Sequence, residues 1–588
     1  MRTRKAKDRS RLIQAAMGQV PCDLTIGNVQ FFNVITGEIY PASVDILDGF
    51  VVLVREEGQE AVLPSKSYYD GQGRYLIPGY IDTHMHIEST MMIPENLARA
   101  ILPWGTTTIC TDPHEIGNVM GLDGVRFMLE NAKKSKLRQY VLAPSCVPSL
   151  PGMENAGAEF FAREVGELLD MDDVIGIAEI MDYVGVIHDS ERMHTIIDEG
   201  LRRGMFLQGH APYCFGRELA AYRIGGPVSD HESVNADEVR AKLRAGMHIN
   251  LRASSLIDNL SFLVDGCKDQ PWRDFVSICT DDVHAKDLLT VGHINNVVRK
   301  AVASGLDGRE VVKMATFNAA REYGAIAPGY IADIQLVDAL DGSRPKAVFT
   351  EGVLVAEDGK YLGGDCKTAD YDLPNTVNMP QIAGPESFVL RVPEGYTGDT
   401  IRVNVMVSED GNRILRHVEP VELPVRDGAV DISGDPTLVF VCCANRYGRG
   451  GKTIAVYRDF GLRAGALAST ISHDSHNFTV SYHDPKDAFR AAEILRACGG
   501  GVCVIDGEQE THIALPAAGL MSQKPCAEVA DEIAAVQSAL DVISDGQLTL
   551  LATAIMALPV LPSVVITDMG LVNGANQTFV PVFADAEA

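Results

Sequence analysis

Pro78-Gly79-Tyr80-Ile81-Asp82-Thr83-His84-Met85-His86 is an apolar run that ends in two histidines spaced i, i+2. In a β-strand, side chains at that spacing share one face. Two imidazoles at the C-terminal end of one strand can therefore converge on a metal ion. The positions of the other ligands separate a metal site from coincidence.

Beyond this strand, further apolar runs end at Thr111, Pro144, Glu179, His210, His231, Leu251 and Asp281. Helical stretches such as 190–203 and 236–245 separate most of them. Eight βα units in roughly 240 residues match a (β/α)8 barrel, whose active site lies at the C-terminal ends of its strands. A doubly wound open sheet is the competing fold; the polar chemistry concentrated at the strand ends favours the barrel.

Strand one delivers His84 and His86, strand four Glu179, strand five His210, strand six His231 and strand eight Asp281. Each alone also reads as structural: a histidine packed at a strand end, or a glutamate capping a helix. Together, four histidines and two carboxylates around one barrel mouth are the inventory for two divalent metals with one carboxylate between them. Glu88, just past the histidine pair, and Asp112, His114 and Glu115, in the Asp-Pro-His-Glu stretch after strand two, also belong to the mouth, as does Asp182. At least one of these five is expected to contact the substrate, although Asp112 and Glu115 equally suit helix capping.

The chain has 588 residues, 46% hydrophobic, with a formal charge of -28. This length predicts several domains. The charge repels nucleic acid and anionic membranes, so neither is an expected partner. Twelve cysteines occur without a Cys-x-x-Cys pair, which reads as reduced, mostly buried thiols in a cytoplasmic protein. The basic N-terminus (Arg2, Arg4, Lys5, Lys7, Arg9, Arg11) is followed by no apolar core, so a short helix over 11–17 is expected in place of a signal peptide. No apolar window is long enough for a transmembrane helix.

Turn-punctuated strands in 1–75 and again in 326–377 suggest one small β-domain built from both flanks of a barrel at 76–325. A further α/β or α+β domain is expected over 378–588, with the junction at 375–385. Within it, His473-Asp474-Ser475-His476-Asn477 reads as local turn and hydrogen-bond structure, because the members of a Ser-His-Asp triad are brought together by the fold and are not sequence neighbours. A role in closing the barrel mouth, or at a subunit interface, stays open. Gly499-Gly500-Gly501 lacks the lysine of a phosphate-binding loop.

Several stretches are specific: PGYIDTHMHIEST (78–90), GTTTICTDPHEIGN (105–118), GIAEIMDY (176–183), CTDDVHAKDLL (279–289) and residues 314–333 in the first half, and GALASTISHDSHN (465–477), LPAAGLMS (515–522) and ALPVLPSVVITDMG (557–570) in the second. Through them nearly the whole chain resembles the adenine deaminase family of the metal-dependent amidohydrolase superfamily. At strand seven that family carries Arg-Glu-Gly, whereas this chain has Arg252-Ala253-Ser254. The resemblance implies a binuclear centre of iron or manganese, with zinc also compatible. His84, His86 and Asp281 would serve one ion, His210 and His231 the other, and Glu179 would bridge them. It further implies hydrolytic attack of a metal-activated hydroxide on C6 of adenine, giving hypoxanthine and ammonia. Asp281 would be the general base that passes the proton to the departing amine. Association into a homo-oligomer is implied as well. The alternatives are a cyclic-amide hydrolase of the same superfamily, or a metal- and purine-binding protein without turnover.

Overall fold

The structure, a computed structural model, describes residues 9–58, 62–255, 258–321, 324–364, 368–409 and 412–585. Arg2, Arg4, Lys5, Lys7 and Cys366 fall outside them. The N-terminal helix spans Arg9–Ala16.

The central unit is a parallel barrel of eight strands: β1 (Tyr80–Met85), β2 (Thr106–Thr111), β3 (Arg138–Ala143), β4 (Val174–Ile180), β5 (Phe206–Gly209), β6 (Ser229–Asp230), β7 (His248–Arg252) and β8 (Val276–Cys279). β1 to β5 pair in sequential order, and so do β6 to β8. Two seams close the ring. The Val228 N–H donates to Leu207 O at 3.0 Å, and Met85 pairs with Asp281 as the Asp281 N–H donates to His84 O at 3.0 Å. Barrel strands are covered on both faces, which explains their near-continuous apolar runs: β8 is wholly buried, and β4 is buried at six of its seven positions.

Both flanks of the barrel enter one sheet. Strands Leu24–Phe32, Ile39–Leu47 and Phe50–Glu56 precede the barrel, and Ile334–Val337, Ala347–Thr350 and Val353–Glu357 follow it. Strand Tyr75–Pro78 joins the two sets, pairing with Leu24–Phe32 on one side and Ile334–Val337 on the other. The same strand leads directly into β1, so the β-sheet anchors the entry to His84 and His86.

The C-terminal part is built on a nine-stranded sheet. Helix Pro485–Cys498 packs its alanine-rich face on one side, and helix Cys526–Ser544 lies against the other. One apolar core runs from Met85, Ile87 and Met92 of the barrel mouth into Leu520, Val529 and Ile566 of this part. The Asn477 amide donates to Asn155 O at 2.8 Å, and Asp568 accepts from Asn155 N–H at 3.0 Å and from its amide at 2.8 Å. The loop between strands Ala466–Ser469 and Phe478–Tyr482 is thereby held over the mouth.

Candidate metal centre and active site

The six residues at the strand ends meet around one point. Gln208 Oε1 lies 2.7 Å from His84 Nδ1, and the Gln208 amide donates to Thr83 O at 3.0 Å. The carbonyl of Asp112 lies 3.1 Å from His86 Nδ1. Both acceptors take the Nδ1 proton, so each ring turns its Nε2 inward, the nitrogen that would be available to a metal. The two Nε2 atoms are 3.1 Å apart. His231 stacks on His84 with ring centroids 3.8 Å apart. Tyr222 fixes His210: its hydroxyl donates to Ile180 O at 2.7 Å and accepts from the His210 N–H at 2.9 Å. The strand carrying His231 is pinned by Lys242, wholly buried, whose Nζ lies 2.7 Å from Asp230 and 2.8 Å from Glu238.

Glu179 faces two sides. Its Oε1 is 3.5 Å from His86 Nε2 and 3.6 Å from His114 Nδ1; its Oε2 is 2.5 Å from His210 Nδ1 and 3.1 Å from His231 Nε2. Asp281 Oδ1 lies 3.4 Å from His84 and 3.2 Å from His86, and Arg252 Nη1 donates to Asp281 Oδ2 at 3.0 Å. Burial alone would raise the pKa of Glu179, but His210, and then His231, outweigh it and hold the carboxyl well below its ordinary range. Asp281 is likewise held low: burial is overcome by His84, His86 and Arg252. The field of the two carboxylates acts on the imidazoles in turn. Burial lowers the proton affinity of His86, yet Asp281 and Glu179 raise it well above the usual value.

That electrostatic setting, with N and O donors and no thiolate, suits divalent cations. Three overlapping sets place their donor atoms within 4.8 Å of one another: His84, His231 and Asp281; Glu179, His210 and His231; and His86, Asp112, His114 and Glu179. Neither nitrogen of His231 or of His114 has a hydrogen-bonding partner, although both residues are buried. Donors converging in this way fit metal ions.

The remaining predicted residues divide. His114 lines the cavity above the carboxylates. Asp112 is buried 3.3 Å from His114 Nδ1. Glu88 accepts from the Ile116 N–H at 3.2 Å, and burial, reinforced by Glu115, pushes its carboxyl up to about 8. Glu115 lies between His473 and His476, 3.8 and 3.9 Å away, and accepts from the Ser89 hydroxyl at 3.1 Å. Asp182 does not join the group. It caps the helix Tyr183–Ile187, accepting from the Gly185 N–H at 2.8 Å. A short aspartate side chain immediately before a helix satisfies its free N–H groups, and here that local bond engages the carboxylate.

Four further residues join the cavity wall: Arg252, Glu232, His473 and Asp474. Arg252 pairs with Glu232 as well as Asp281, so the carboxylate next to His231 meets the strand-seven arginine. The cavity measures about 490 Å³; its far wall is apolar, with Leu415, Leu551, Ile555, Leu558 and Leu561 from the C-terminal part. A cavity with one polar wall and one apolar wall suits a small ligand that carries polar groups on one side. The 473–477 segment does form a local turn, with the His476 N–H donating to Ser472 O at 2.7 Å. It also borders the cavity through His473 and Asp474, which its own sequence does not specify because Asn155 and His114, which it meets there, lie far earlier in the chain.

Comparison with known proteins agrees with this layout. Residues 75–357 match the amidohydrolase family, and residues 413–578 match the adenine deaminase C-terminal domain. Adenine deaminase 2 of Carboxydothermus hydrogenoformans is 37% identical, over 97% of this chain and 99% of the relative. The adenine deaminases of Methanothermobacter thermautotrophicus (38% identical, 93% and 97% covered) and Paracoccus denitrificans (36%, 96% of each) are similarly related. The chain belongs to the adenine deaminase family of amidohydrolases. The match to the adenine deaminase C-terminal domain includes His473 and Asp474, so the closing loop is part of the family's own domain.

A buried carboxylate feels that loop through the charge of Asp474. Glu154 is buried; its Oε1 accepts from the Ser149 hydroxyl at 2.7 Å and the Leu150 N–H at 3.2 Å. Burial, opposed by the Ser149 bond and reinforced by Asp474, pushes its pKa from 4.5 up to about 8. The folded chain keeps this proton where the unfolded chain has released it, so the associated stability is full below about pH 4.5 and is lost as pH rises toward 8. Glu154→Gln removes the ionisation and keeps the shape. Urea midpoints measured from pH 5 to 8 are expected to fall less for the variant than for the wild type; parallel curves would contradict the assignment.

Proposed function

We propose that this chain hydrolyses adenine to hypoxanthine and ammonia at a binuclear centre held by His84, His86, Glu179, His210, His231 and Asp281. The observation that carries this reading is the two-sided Glu179 carboxylate, with His86 on one oxygen and His210 and His231 on the other. When bound, the metal ions, iron or manganese first and zinc also compatible, lower the pKa of water so that hydroxide is available near neutral pH.

The protein's own groups do the rest. Asp281, ionised and oriented by Arg252, accepts the proton of the attacking water and returns it to the leaving amine. The apolar wall excludes bulk water and covers the purine face. His114, 3.6 Å from Glu179 and on the cavity surface, is the member of the sequence-predicted set best placed to touch the base. We further read the chain as a cytoplasmic homo-oligomer, from the acidic composition for the first and from family resemblance for the second. Among the described residues, no helix is long and apolar enough to cross a membrane.

A panel of purines, pyrimidines and cyclic amides, assayed for ammonia and for ring opening, tests the reading. Ammonia from adenine with stoichiometric hypoxanthine is expected. Ring opening of a lactam without ammonia would favour the cyclic-amide alternative, and metal binding without turnover would favour a binding protein.

A further inference from the structure

Asp474 is 2% exposed, lines the cavity, and has one oxygen without a hydrogen-bonding partner. Its other oxygen, Oδ1, lies 3.4 Å from His114 Nε2, and the opposite nitrogen of that ring is 3.6 Å from Glu179. The carboxylate therefore stands one imidazole's width from the carboxylate at the centre of the metal site.

The segment is firmly placed. The His473 N–H donates to Ala554 O at 2.9 Å, the Ser472 N–H to His476 Nδ1 at 3.2 Å, and the wholly buried Arg446 to His476 O at 2.5 Å. A buried carboxylate oxygen left without a donor is costly, and Asp474 cannot swing out to water without breaking this turn. The oxygen is positioned for a ligand that donates.

Adenine supplies such a donor. With its six-membered ring toward the metal site, the other end of the molecule carries one N–H, on N9 or N7. A carboxylate only accepts. We propose that Asp474 accepts the imidazole-ring N–H of adenine, so that the C-terminal domain selects the free base over purines substituted on that ring. The inference rests on the adenine reading above and deepens it. An apolar wall discriminates weakly between a base and its alkylated analogue, whereas a site built around one N–H rejects an analogue lacking it.

The test uses the metal-loaded full chain and three substrates: adenine, 9-methyladenine and 7-methyladenine. Wild type is expected to favour adenine strongly over both methylated isomers, since neither carries an N–H on the imidazole ring. Asp474→Ala and the near-isosteric Asp474→Asn are expected to lose about 10- to 100-fold in kcat/KM for adenine, the range for a hydrogen bond to a charged group. The preference over both isomers should shrink by a similar factor, with metal per chain unchanged. Equal losses on all three substrates would overturn the proposal, as would an unchanged preference, no preference in the wild type, or loss of a metal equivalent. Wild type inactive on adenine but active elsewhere on the panel would instead overturn the activity reading.

Discussion

Glu179→Ala is expected to lose bound metal and to lower kcat/KM for adenine by about 10³-fold or more, corresponding to several kcal/mol of charge stabilisation at 1.36 kcal/mol per decade. The carboxylate is buried and serves both sides of the site, with His86 and His114 near one oxygen and His210 and His231 near the other. Removing it leaves a cluster of imidazoles without the anion that offsets cationic charge between them. Glu179→Gln sharpens the test. It keeps one acceptor oxygen and the side-chain volume but cannot bridge as an anion, so metal per chain should fall for both variants. Retention of full metal and activity by Glu179→Ala would remove the carboxylate from the centre.

Asp281→Asn is expected to separate chemistry from binding. Asp281 has φ 60°, in the left-handed region, which asparagine tolerates and alanine does not. The asparagine variant keeps the backbone turn that returns the Asp281 N–H to His84 O. It also keeps a carbonyl oxygen as a metal ligand but loses the proton acceptor. A fall in kcat of about 10²- to 10⁴-fold is expected, the usual contribution of a positioned general base, with a smaller change in KM. Comparing kcat and KM at matched metal loading checks this. A change confined to KM would place Asp281 in substrate binding and not in proton transfer.

The barrel, and the meeting of the six strand-end residues at one mouth, were legible because both depend on local pattern. A strand buried on both faces reads as an apolar run, and its C-terminal residue is where the chemistry sits. β1 and β4 illustrate this: the polar residue follows the run without a gap. Asp182 shows where that pattern ends. It follows an apolar strand as Glu179 does, but the helix beginning at Tyr183 engages its carboxylate first. Glu232 gave no pattern signal, since it follows β6 in an ordinary loop and its significance comes from Arg252 on the next strand. His473 and Asp474 were visible as unusual residues but not as cavity residues. Their placement depends on how the C-terminal sheet docks, through Asn155, Asp568 and the shared core, on a barrel far away in sequence.

Two metal ions sharing Glu179 are what the proposed deamination of adenine requires. The most direct measurement is a metal titration of the chelated, metal-free chain, following ammonia release from adenine against equivalents of manganese or iron added. Activity is expected to be absent without metal and to reach its plateau at two equivalents per chain. A plateau at one equivalent, or deamination that persists in the fully chelated chain, would contradict the bridged centre.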